Sequence, residues 1–326
     1  MKFILKLAKI VLIFILCWFP VSCGTSDDAG DVIIPDNTIN NFIINNSNYS
    51  VLATALNRTG LDSVLNIATQ QYTIFAPNNA AFNSFLSEND YTNINDVPLE
   101  ELNNYLRYHI QPGASRLSEF PDGYIRSLGV GNASNRLLSM YTLTLEDSFY
   151  INNEAEVVLA QGDILLDNGY LNPISTFLSL PSITDFLLVN QQTTDDNFAS
   201  ILAESNTENY LEKLKDQDVI YTILQASEEA VANYLAEHNY TTITDIPQAE
   251  LQRIIDHHII PQENARTEAI EDTLQVIANS GAVLNFYEDN GPKIELESDE
   301  IINIITPNIQ AVNGVIQVVD RVIENE

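Results

Sequence analysis

YTIFAPNNAAFNSFL at residues 72–86 and YTILQASEEAVANYL at residues 221–235 are two versions of one phrase. Extended downstream, Tyr72–Pro112 lies over Tyr221–Pro261 without a gap, with 16 identities in 41 positions. NINDVP (93–98) falls on TITDIP (242–247), and ELNNYLRYHIQP (101–112) falls on ELQRIIDHHIIP (250–261). The offset is 149 residues. A period that long marks duplicated domains, because solenoid repeats run about 20–50 residues. A chain of 326 residues has room for two.

The repeated unit has readable local structure. Tyr72–Phe75 is a β-favouring run that Pro77-Asn78 ends, and Asn79–Leu86 reads as a short helix. Asp96-Val97-Pro98 and Asp245-Ile246-Pro247 read as helix starts, with a capping box between Asp245 and Gln248 in the second copy. Leu102, Leu106, His109 and Ile110 share one helical face, as do Leu251, Ile255, His258 and Ile259. Segments such as SMYTLTLEDSFYINN, AEVVLA, AVLNFYE and GVIQVVDRVI read as strands. Helices early and strands late in each repeat give an α+β fold class.

These residues resemble the fasciclin domain family. Its opening motif is matched by YTIFAPNNAAF (72–82), its central Tyr-His pair by Tyr108-His109, and its closing motif by NGVIQVVDRVI (313–323). The resemblance covers nearly all of two units, residues 38–181 and 182–326. It implies a bent β-sheet assembly packed with helices in each. It also implies adhesion or extracellular binding, with no enzymatic activity and no required cofactor. The copies depart from the pattern in complementary ways. The first closes on NGYLNPISTFL (168–178), where Pro173 cannot donate to a ladder, so a bent or edge strand is expected. The second has His257-His258 for Tyr-His, and Gln317 stands where the family usually has His. Any activity tied to the Tyr-His pair belongs to the first copy.

Residues 1–22 read as a leader: Lys2, Lys6 and Lys9, then an apolar run from Ile10 to Phe19 too short to span a bilayer. FPVSCG resembles a bacterial lipobox with Cys23 as the lipidated residue, although Pro20 departs from it. GTSDDAGD, directly after the Cys, resembles the acidic export signal of surface lipoproteins of Bacteroidetes-type bacteria. Residues 23–37 are then a flexible tether. The expectation is a protein held at the outer membrane by a lipid on Cys23 and exposed at the cell surface.

With 45 Asp+Glu against 14 Lys+Arg, phosphate backbones are repelled, so no nucleic-acid partner is expected. No HExxH, GxSxG or P-loop occurs, and neighbours His257 and His258 point about 100° apart on a helix, so neither metal nor catalytic residue is assigned. Candidate ligand-binding residues are Tyr108 and His109, with Tyr91, Tyr124, Tyr240 and Tyr287 as aromatics in loop-like surroundings. An apolar helical face suits His109 better as a buried, hydrogen-bonded core residue. DSV (62–64) and DTL (272–274) resemble bacterial O-glycosylation sites. Two partners fit these features: an extracellular protein or polysaccharide met in adhesion, or a polysaccharide captured for an outer-membrane transporter complex.

Overall fold

A computed structural model describes residues 37–131, 135–189 and 195–324. The expected leader, Cys23 and nearly all of the tether lie outside them. The first repeat runs α1 (Ile39–Ile44), α2 (Ser50–Thr59), α3 (Leu61–Val64), β1 (Tyr72–Pro77), α4 (Asn79–Glu88), α5 (Leu99–Tyr108), β2 (Ile110–Pro112), β3 (Gly123–Val130), β4 (Leu137–Leu145), β5 (Ser148–Ile151), β6 (Ala155–Val158), β7 (Ile164–Leu166) and β8 (Gly169–Ile174). The second runs α6 (Ile183–Val189), α7 (Phe198–Ala203), α8 (Tyr210–Lys213), β9 (Tyr221–Ala226), α9 (Glu228–Glu237), α10 (Gln248–His258), β10 (Ile259–Pro261), β11 (Thr273–Ile277), β12 (Val283–Glu288), β13 (Pro292–Glu295), β14 (Ile301–Ala311) and β15 (Gly314–Val319). The order is the same twice, and it is α+β.

The repeated phrase is the strand–helix step β1–α4 and β9–α9. Side-chain caps start both helices: Asn78 accepts the Ala81 amide at 2.9 Å and Ser227 accepts the Ala230 amide at 3.1 Å. Pro98 and Pro247 sit at the starts of α5 and α10, as expected. The expected box between Asp245 and Gln248 is absent. Asp245 instead closes a box with Thr242 around the preceding 3₁₀ turn. Ile110 and Ile259 do not extend the helical face either. His109 caps α5, and both isoleucines begin strands.

The sheets differ in continuity. In the second repeat, seven strands run β10-β9-β15-β14-β13-β12-β11. β14 is bent by two register shifts, between Ile304 and Thr306 and between Thr306 and Ile309. In the first repeat a 3₁₀ turn at Leu159–Gln161 divides the equivalent strand into β6 and β7. Two four-stranded sheets result, β2-β1-β8-β7 and β3-β4-β5-β6. Strand β8 therefore lies inside its sheet, not at the edge suggested by Pro173. The proline is tolerated because β7 pairs only as far as Leu171, leaving Pro173 a ladder neighbour on the β1 side alone.

Two apolar clusters cross between the first repeat and the second. Tyr141 of β4 is buried among Ile183, Phe186, Ile201 and Ile309, and Val312 is buried among first-repeat residues including Phe75 and Met140. The Gln310 amide donates to Ser139 Oγ at 2.9 Å, and the Val312 amide to the Pro181 carbonyl at 2.9 Å. At the rim Glu268 accepts from both Arg266 and Arg126, and these bonds hold its carboxyl below the usual range. The outer face of β3–β4 is thereby closed against β14 and α6.

Candidate functional site

The Tyr108-His109 pair lies at the junction of α5 and β2 and is fully inside the protein. The His109 Nε2 accepts the Leu178 amide at 3.0 Å, which leaves Nδ1 to donate to the Tyr105 carbonyl at 2.8 Å. That pattern fixes a neutral ring protonated on Nδ1. Burial drives the His109 pKa down to about 4. The Tyr108 hydroxyl donates to the Ser139 carbonyl at 3.0 Å and accepts from Asn152 Nδ2 at 2.8 Å. Burial raises its pKa far above the normal phenol range. Neither residue has a hydrogen-bonding site left for a ligand.

The second repeat builds the same Nε2 bond and gives Nδ1 a different acceptor, on strand β9. His258 Nε2 accepts the Ile323 amide at 2.8 Å, and Nδ1 donates to the Leu224 carbonyl at 2.8 Å. Its pKa is pushed down to about 3 by burial and by neighbouring His257. His257 turns elsewhere, toward the Arg253 carbonyl. Among the described residues no group of three or more His, Cys, Asp or Glu is arranged to hold a metal ion.

The closing motif is a second repeated node. Asn168 Oδ1 accepts the Ile39 amide at 2.8 Å while Nδ2 donates to the Leu65 carbonyl at 2.8 Å. Asn313 does the same with the Ile183 amide and the Leu214 carbonyl, both at 2.8 Å. A Cβ on Gly169 would lie 1.7 Å from the Tyr72 carbonyl oxygen, and on Gly314 1.9 Å from that of Tyr221. Asn-Gly in the motif is therefore a strand clamp. Gln317 is part of the same framework. It accepts the Asn308 amide and donates to the Ala265 carbonyl, each at 2.8 Å. In the first repeat Asn172 reaches only the Asp163 amide, and its buried Nδ2 is without a partner.

The four further tyrosines separate. Tyr91 and Tyr240 occupy the same position in the two repeats and each donates to the carboxylate ten residues on: Glu101 at 3.4 Å and Glu250 at 3.1 Å. Both are half-buried helix ties. That role was readable, since Tyr–x₉–Glu is kept in both copies. Tyr124 lies on β3, not in a loop, with its ring 5.4 Å from Phe186 in the contact between the repeats. Tyr287 lies on β12, inside the AVLNFYE segment that reads as a strand, on the sheet face away from buried Leu284 and Phe286. The structure does not bring these six residues into one site. A groove of about 820 Å³ that the sequence did not suggest runs along α5, where Glu101, Asn103, Asn104, Tyr105 and Arg107 meet Leu180 and Gln217.

The family model for the Fasciclin domain matches twice, over residues 47–181 and 196–325. The chain belongs to the fasciclin domain family. A search of curated proteins finds no match. Among solved structures, the FAS1 domain pair from the insect cell adhesion molecule Fasciclin I is similar at a TM-score of 0.51 and 15% identity. The alignment covers 86% of this chain and 98% of that one. The likeness extends to the tandem architecture, so the doubled nodes belong to two fasciclin domains of one fold. Fasciclin domains are associated with cell adhesion and are generally non-enzymatic.

Proposed function

We propose that this chain is a non-enzymatic, lipid-anchored surface protein whose two fasciclin domains act as an adhesion module toward extracellular protein. Membership of the fasciclin family over both halves carries the reading. The engagement of His109, His258 and Tyr108 in internal hydrogen bonds supports it, because it leaves the two histidines with lowered pKa values among the described residues without access to a substrate. The similar FAS1 pair comes from a cell adhesion molecule, which agrees with this role. Lipidation of Cys23 would place the pair at the outer membrane, facing outward.

The groove along α5 favours a second reading, capture of polysaccharide, alone or for an outer-membrane transporter complex. Amide and carboxylate groups beside the Tyr105 ring are the chemistry that holds sugar hydroxyls and a pyranose face. One experiment separates the two. The purified chain is offered host cells, matrix proteins and a panel of soluble polysaccharides, with the Tyr105→Ala and Asn103→Ala variants alongside. Adhesion to cells or protein that survives both changes supports the leading reading. Saturable polysaccharide binding lost in both variants replaces it with the second. The anchor has its own test: Cys23→Ala releases the protein from membranes and abolishes incorporation of labelled palmitate. A variant that stays on membranes removes the anchor from the reading.

A further inference from the structure

The two fasciclin domains are joined by a contact that is heterologous: the outer face of one domain's sheet meets a different surface of the next. The face is that of β3–β4, where Tyr124 pairs with Tyr141 and Arg126 with Ser139. It meets Gln310 on β14 and Phe186 on α6. Both halves of this contact have counterparts that the chain leaves unused.

In the second domain the register of β11–β12 places Thr273 opposite Tyr287 and Gln275 opposite Asn285. These are the positions of Tyr124, Tyr141, Arg126 and Ser139. Their sheet face is open, and its neighbours include Ile277 and Ile301, 60% and 48% exposed. In the first domain Leu165 pairs with Tyr170 on edge strand β7, as Gln310 pairs with Val315. Phe42 stands in α1 where Phe186 stands in α6, since the Ile39 and Ile183 amides are held by equivalent asparagines. Phe186 is 1% exposed, whereas Phe42 is only half-buried and Leu165 is 65% exposed. The first domain thus carries an uncovered version of the surface that the second domain buries.

We propose that a second copy of this chain seats its β7 edge and α1 on the open face of β11–β14, repeating head to tail the contact that joins the two domains. Such a contact does not close on itself in a dimer, so it adds copies in series. The formal charge of −31 opposes approach, so salt that screens it promotes association. The inference does not depend on which ligand the domains bind.

Sedimentation velocity of the full chain tests it, across a wide range of protein concentration and at low and high salt. Wild type is expected to grow in a concentration-dependent series, more at high salt. Leu165→Asp and Tyr287→Lys are each expected to abolish growth, with unchanged melting temperature as the check on folding. Leu165→Ser and Tyr287→Ser stand in if either charged variant melts early. Mixing the two dead variants restores one good edge and one good face. The mixture should form pairs and nothing larger. A wild type monomeric throughout overturns the proposal, as do variants that still associate, a mixture that stays monomeric, or a glycan on Thr273 that occupies the face.

Discussion

His109 Nε2 and the backbone amide of Leu178, 69 residues downstream, are 3.0 Å apart, and the second domain repeats the bond between His258 and Ile323 at 2.8 Å. Each histidine ties the end of a helix to the segment that follows the closing strand. The histidine that the two repeats share is therefore a structural staple, which matches the buried, hydrogen-bonded state expected of His109 from its apolar helical face.

Replacing His109 with Ala leaves the Leu178 amide without a partner in the core and takes one of two bonds from the Tyr105 carbonyl, which keeps the backbone amide of residue 109. The expected loss is about 3 kcal/mol, combining the unsatisfied amide with a cavity. The midpoint of urea unfolding measures it. A midpoint within error of wild type would contradict the staple.

The same residues give a sign to the pH dependence. Both are neutral when folded, with pKa values lowered to about 4 and about 3, and titrate near 6.5 when unfolded. Above pH 6.5 the full contribution is present. As pH falls below 6.5 the unfolded chain gains protons first, so stability declines until the folded pKa is reached. For His109 the decline amounts to about 3 kcal/mol in order of magnitude. Relief of carboxylate repulsion acts in the opposite direction, so the comparison is with His109→Gln. The variant should lose less stability than wild type between pH 6.5 and 4.

Gly314→Ala places a methyl group 1.9 Å from the Tyr221 carbonyl at a φ of +146°. Strands β9 and β15 must separate to admit it, with an expected cost above about 3 kcal/mol. Gly281→Ala is the control, since its Cβ meets nothing within 4 Å and shares only the positive φ. Thermal melting of both variants should separate steric clash from backbone strain.

Across the domain boundary, apolar burial should outweigh charge. Tyr141→Ala is expected to cost about 3 kcal/mol and to broaden or split the thermal transition. Arg126→Ala removes an ion pair whose side chains are 61% and 50% exposed, and should cost less than about 1 kcal/mol. Calorimetry of both variants checks the ordering. An Arg126 effect exceeding that of Tyr141 would reverse this account.

The repeat, the strand–helix step and the helix-opening prolines were legible because local chemistry decides them. Periodicity also placed Leu102, Leu106, Leu251 and Ile255 inside. What sequence could not supply was the other end of each long-range bond. Nothing near His109 announces Leu178, and nothing near Asn168 announces Ile39. Tyr124 and Tyr287 stand in loop-like surroundings in the sequence, Tyr287 at the end of the AVLNFYE segment that reads as a strand, and each lies within its strand. Which of them is covered depends on the contact between domains, to which alternation along one strand is blind. Pro173 gives a related case: it points to a bent or edge strand, whereas β8 is internal and the neighbouring strand simply stops short of the proline.

The Asn-Gly clamps also set how the chain carries load. Each domain is entered beside its own penultimate segment: the Asn37 and Asp167 backbones bond at 3.0 Å just before the Ile39–Asn168 bond, and Pro181 bonds Val312 just before Ile183–Asn313. Tension applied at the N-terminal end meets these few isolated bonds before it reaches any sheet ladder. They act as mechanical fuses in series, giving way and lengthening the chain slightly while β1–β8 and β9–β15 stay paired. Single-molecule pulling should record short extensions at low force ahead of the main unfolding events, and Asn168→Ala should remove one of them.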